Sequence, residues 1–106
     1  MGGEVCLIQT TLPGTWIEAE VGAFSQQMLE AGAACVQHHS IQSTYRWEGS
    51  IEQSPEWHLQ LKVTPAKRED VLLALRENHP YKIPQIVWTI ANSTSDYSAW
   101  VSGDFE

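Results

Sequence analysis

From Ala34 to Trp47 the chain runs fourteen residues without a proline or a glycine, and Val, Ile, Thr, Tyr and Trp recur along it. β-Branched and aromatic side chains favour extended backbone, so the run reads as one strand. Ile41, Ser43, Tyr45 and Trp47 share one face, and Gln42, Thr44, Arg46 and Glu48 share the other. Glu48-Gly49-Ser50 supplies a turn. The return strand ends in clean alternation, with Trp57, Leu59, Leu61 and Val63 inward and His58, Gln60 and Lys62 outward. Pro55 interrupts it and has no N–H for the ladder, so it belongs at a bulge or on an edge.

A strand of this length is too long for its domain. At ~3.3 Å per residue the fourteen residues span roughly 46 Å. A compact domain of about this size has a radius of gyration near ~13 Å and a diameter of about 33 Å. The hairpin must bend sharply or project. Its far end carries Tyr45, Trp47, Ile51 and Trp57, an apolar patch that is costly to leave in water. Packing each hairpin on a neighbouring copy resolves the cost, so the chain is expected to be an oligomer.

The rest of the chain supplies a core for that hairpin. Val5 to Thr10 reads as a buried strand closed by Leu12-Pro13-Gly14. Thr15 is placed to cap a helix whose apolar residues Ile17, Val21, Phe24, Met28 and Ala31 fall on one face, with Gly32 at its end. Thr64-Pro65 opens a second helix with the stripe Val71, Leu72 and Leu75, and Asn78-His79-Pro80 ends it. Ile86 to Ala91 is a last core strand, and Thr94 to Val101 a short terminal helix carrying Tyr97 and Trp100. Trp57, Trp88 and Trp100 fall at core-like phases. The expected fold is α+β: one domain over residues 1–106, a ferredoxin-like β-α-β-β-α-β sandwich with a long hairpin between its second and third strands and a short C-terminal helix.

Six Lys plus Arg stand against thirteen Asp plus Glu, a formal net charge of −7. Such a surface repels phosphate backbones, which argues against a nucleic-acid partner. No stretch approaches the ~20 apolar residues of a membrane span. Met1-Gly2-Gly3-Glu4 lacks the basic start and apolar run of a signal peptide, so a cytoplasmic protein is expected. Cys6 and Cys35 belong to no Cys-x-x-Cys spacing. Reduced cysteines used as small apolar residues explain them most simply, although spacing does not exclude one disulfide. No Gly-x-Ser-x-Gly, His-Glu-x-x-His or phosphate-loop motif occurs, and no enzymatic activity is expected.

Several stretches, in order, resemble the CutA family of divalent-cation tolerance proteins. They are Ala33-Ala34-Cys35-Val36, then Ser43-x-Tyr45-x-Trp47-Glu48-Gly49, Glu56 and Lys62 on the return strand, His79-Pro80-Tyr81 followed by Ile83-Pro84, and Asp96-Tyr97-x-x-Trp100. Together they span about Val5 to Val101. The resemblance implies a ferredoxin-like subunit in a tight homotrimer whose hairpins form inter-subunit sheet, with Tyr45, Trp47 and Ile51 as interface candidates. It also implies association with divalent metal ions, copper foremost, and none of them is expected to be needed for folding. Gln85 stands where the family usually has a glutamate, which exchanges an anionic oxygen for an amide and weakens any hard-cation site in that loop.

Cys35 is the first candidate ligand for a soft metal such as copper; the alternative is a small buried residue at a helix-to-strand junction. His79 is the second candidate. It ends a helix, where a cationic imidazole would favour the dipole, so it is either a ligand in an inter-subunit cleft or a capping group. Glu56, Lys62 and Tyr81 are candidates to line that cleft, Glu56 and Lys62 alternatively as an ion pair across the interface. His38 and His39 are adjacent in a strand and point to opposite faces, so they cannot readily grip one ion. The competing function is a PII-like regulatory or scaffolding trimer that holds a small effector between subunits without a physiological metal.

Overall fold

The computed structural model describes residues 2–103. Its elements are β1 (Gly2–Pro13), α1 (Glu18–Ala31), β2 (Cys35–Trp47), β3 (Ser50–Val63), α2 (Arg68–Asn78), β4 (Val87–Thr94) and α3 (Ser95–Ser102), with a 3-10 turn over Pro65–Lys67 leading into α2. The strands form one antiparallel sheet in the order β2-β3-β1-β4. That order follows from two β-α-β crossovers that each leave room for one inserted strand, and it is the expected ferredoxin-like arrangement.

Alternation puts Cys6, Ile8 and Leu12 of β1 and Leu59, Leu61 and Val63 of β3 on one sheet face, all fully buried. Val21, Phe24 and Met28 of α1 and Val71 and Leu75 of α2 close over them. Their i, i+3/i+4 spacing gives each helix one apolar stripe, and burying it supplies most of the helix's stability. The opposite sheet face is partly covered by α3, where a Cβ on Gly3 would collide with Ser98.

Several boundaries differ from the sequence expectation. β1 extends at both ends because its ladders run on, from Gly2 opposite Thr94 to Pro13 opposite Glu56. The cap of α1 is Ile17, not Thr15; its N–H donates to the Glu20 carboxylate at 2.9 Å, and the Ile17 side chain is 64% exposed rather than in the stripe. Thr64 makes no side-chain cap, and Pro65 starts a 3-10 turn that precedes the helix proper. β4 is shifted towards the C-terminus. Trp57 is half-buried, with its indole N–H donating to the Trp16 carbonyl at 2.9 Å. Trp88 and Trp100 are 43% and 41% exposed and are not core residues. Trp88 lies on the edge strand with the Arg68 guanidinium 5.9 Å from its ring centre, and Trp100 stacks on Tyr97 at 5.8 Å. Apolar character marked these positions, but neighbouring elements cover them only in part.

The hairpin projects. β3 pairs with β1 only over Glu56–Val63, whereas β2 follows it out to Ser50. Pro55 is the first residue past the β1 pairing, where one side of β3 has become an edge. The molecule measures 48 × 26 × 22 Å with a radius of gyration of 14.8 Å, above the ~13 Å of a compact domain of its length. Glu48 and Gly49 both have positive φ, 48° and 83°, which makes a two-residue primed turn matched to the strand twist.

Candidate functional site

β1 runs past the end of β4: Gln9 is its last residue paired to Val87, and Thr10 to Pro13 have no strand on that side. The segment after α2 is tied to this stretch. His79 sits with Nε2 2.9 Å from the fully buried Thr10 hydroxyl, and its Nδ1 accepts the Tyr81 backbone N–H at 3.1 Å. Because Nδ1 accepts, the neutral ring carries its proton on Nε2 and donates it to Thr10. Burial pushes the His79 pKa down, against smaller upward pulls from the Thr11 backbone and the Glu56 charge. His79 occupies the C-cap position of α2, but burial disfavours the cationic form, and its doubly hydrogen-bonded ring packs edge-on against Phe24.

Tyr81 donates its phenolic hydrogen to Glu56 of β3 at 2.6 Å. Burial and the Glu56 carboxylate both raise the Tyr81 pKa well above the ordinary tyrosine range, so the phenol stays protonated and remains the donor. Glu56, Tyr81 and His79 thus form one connected wall where the hairpin leaves the domain. Lys62 lies six residues from Glu56 on the same face, roughly 20 Å along the strand, and donates to Gln37 at 2.8 Å. Within the subunit it does not share Glu56's surroundings.

Cys35 opens β2 opposite Lys62, half-buried with a free thiol. Cys6 is also free but fully buried, and burial raises its pKa, which keeps it an inert core thiol. Cys35 and His79 are not brought together: β3 separates β2 from β1, and His79 bonds to Thr10 on the helix-covered face while Cys35 lies on the other. Among the described residues no three His, Cys, Asp or Glu side chains converge on a point that would hold a metal ion. The described residues of one subunit therefore bring together no complete donor set for copper.

One pair was missed. His38 and His39 do point to opposite faces; His38 bonds Glu18 at 3.3 Å and packs edge-on against Trp57. His39 instead faces His58 directly across the hairpin, ring centroids 5.3 Å apart with an interplanar angle of 63°. Burial, and then the neighbouring His39, lower the His58 pKa. The turn is one residue shorter than the expected Glu48-Gly49-Ser50, because Ser50 already pairs with Trp47. A two-residue turn at Glu48-Gly49 pairs Trp47 with Ser50, and the same register carried back along both strands sets His39 opposite His58.

Sheet order, crossovers and the projecting hairpin define an α+β protein of the ferredoxin-like class. The family model of the CutA1 divalent ion tolerance protein matches residues 6–104, and the chain belongs to that family. Divalent-cation tolerance protein CutA of Escherichia coli K12 is 34% identical over 61 residues, 57% of this chain and 54% of that protein. The chain thus spans about half the length of the curated relatives it matches. The solved CutA of Synechococcus elongatus PCC7942 is 29% identical, with a TM-score of 0.87 over 100% of this chain and 95% of that one. The periplasmic divalent cation tolerance protein CutA of Archaeoglobus fulgidus is 27% identical, TM-score 0.83, over 96% and 99%. The PII-like protein CutA of Nostoc sp. PCC 7120, solved in apo form, is 25% identical, TM-score 0.82, over 95% and 97%.

Proposed function

We propose that this chain forms a homotrimer that binds divalent metal ions, copper foremost, and serves metal tolerance rather than catalysis. The observation that carries the assembly is the hairpin, whose outer residues Tyr45, Trp47 and Ile51 are 41%, 53% and 70% exposed beyond the end of β1. Family membership over residues 6–104 supports the metal reading. In this reading Cys35 supplies the soft ligand, a neighbouring subunit or water completes the set, and Glu56, Tyr81 and Lys62 border the inter-subunit cleft. His79, the other candidate ligand, enters the coordination sphere only by giving up Thr10 or Tyr81, so its part is to hold the wall in place. Two free cysteines support a reducing, cytoplasmic setting. No described helix is long and apolar enough to cross a membrane.

Calorimetric titration with copper tests the ligand assignment. Cys35→Ala is expected to weaken binding while His79→Ala leaves stoichiometry unchanged; unaltered affinity in the double variant would remove both residues from the account. A PII-like effector trimer is favoured by one observation, the likeness to the PII-like Nostoc protein. A thermal-shift screen separates the two readings, because a ligand selective for the folded state raises the melting temperature. Response to an anionic effector and to no metal would select the second.

A further inference from the structure

The face of the sheet opposite α1 and α2 carries a cross-strand pair of histidines at the root of the hairpin. His39 and His58 stand directly opposite each other on β2 and β3. The described hydrogen bonds made by histidine belong to His38 and His79, which leaves the nitrogens of this pair open. Their flanking cross-strand pairs are Gln37 with Gln60 and Ile41 with Glu56. The Lys62 ammonium reaches the first of these flanking pairs, where it donates to the Gln37 side chain at 2.8 Å.

We infer that His39 and His58 form a cross-strand chelate for a borderline transition-metal ion such as Ni2+, Zn2+ or Cu2+, separate from Cys35. Imidazole nitrogen is the donor these ions prefer among neutral side chains. With metal–nitrogen bonds of about 2.0–2.1 Å, two imidazoles sharing an ion at a tetrahedral angle have ring centroids roughly 5 Å apart. The observed separation is 5.3 Å, which matches that span. Two ligands leave at least two positions open, for water, for the Gln60 carbonyl oxygen, or for a donor from another subunit; the Gln37 oxygen is already taken by Lys62. The ion would clip the edge strand β2 to β3 at the root of the projecting hairpin. The inference shares the class of ion with the proposed function but rests on different residues.

The test uses the full chain carrying Cys35→Ser, titrated with Ni2+ alone by calorimetry and followed by thermal denaturation. The Cys35→Ser protein is expected to bind Ni2+ and to melt higher in its presence. His39→Gln and His58→Gln should each weaken binding by at least about tenfold, since even outer-shell losses cost that much, and should abolish the shift in melting temperature. Ni2+ should also broaden the imidazole resonances of both residues in the unsubstituted protein, a readout that needs no variant. Absence of Ni2+ binding in Cys35→Ser, affinities within about twofold in both glutamine variants, or unbroadened His39 and His58 signals would each overturn the chelate. Copper binding that disappears with Cys35→Ala while Ni2+ binding persists would leave both readings standing; loss of only one identifies which has failed.

Discussion

Tyr81 donates to the Glu56 carboxylate across 2.6 Å, and this contact ties the segment after α2 to β3 at the point where the hairpin leaves the domain. Tyr81→Phe removes the donor and little else. It should lower unfolding stability by about 1–2 kcal/mol, the range for a hydrogen bond to a charged group that retains some solvent, measured by chemical denaturation. Alkaline difference spectra supply a second check. Wild type should show one tyrosine that ionises late, and Tyr81→Phe should lack that component.

His79 gives the fold a defined pH dependence. Burial lowers its folded-state pKa below the ordinary 6.5, so between those values the unfolded chain binds more protons. Stability from this group is therefore complete above pH 6.5 and is lost as pH falls through the folded pKa. One such proton contributes a slope of at most about 1.4 kcal/mol per pH unit. His79→Ala should flatten the acid limb and cost about 1–3 kcal/mol at neutral pH, because the Thr10 hydroxyl is left buried without a partner. His58 acts with the same sign, and the slope left in His79→Ala should fall further in a variant that also carries His58→Gln.

The turn at the hairpin tip is not optimal for its geometry. Glu48 adopts φ 48°, a conformation that asparagine tolerates better than glutamate. Glu48→Asn creates the Asn-Gly pair favoured in this turn type and should stabilise the protein by about 0.4–1 kcal/mol. Thermal denaturation that finds Glu48→Asn less stable than wild type would contradict the turn assignment.

Gly14 lies against the Pro55 backbone, and a Cβ there would approach the Pro55 carbonyl carbon to 2.6 Å. Gly14→Ala must push the exit of β1 away from β3 where the hairpin begins. A loss of about 1–3 kcal/mol is expected, the range for overpacking a rigid contact. Unchanged stability would show that this junction yields.

What the sequence made legible, and what it did not, divides along the range of the interactions involved. The alternation through Leu59, Leu61 and Val63 and the i, i+3/i+4 spacing of Val21, Phe24 and Met28 are local, and each led to the correct buried face. The length of the strand ending at Trp47 was enough to predict a projecting hairpin. His79 does end α2, as the helix-end rule has it, but that rule cannot see its bond to Thr10, sixty-nine residues away in the chain. Trp88 was misread because an apolar residue on an edge strand looks like core until the covering element is known. The facing of His39 and His58 follows from a two-residue turn at Glu48-Gly49; the expected turn over Glu48-Gly49-Ser50 pairs Trp47 with Ile51 and sets the two histidines out of register.

The central claim is that the projecting hairpin makes this chain a homotrimer, and sedimentation equilibrium at micromolar concentration tests it most directly. The account predicts a single species at three times the subunit mass of 11.9 kDa, shifted to monomer by Trp47→Asp together with Ile51→Asp. A wild-type species at 11.9 kDa would contradict it.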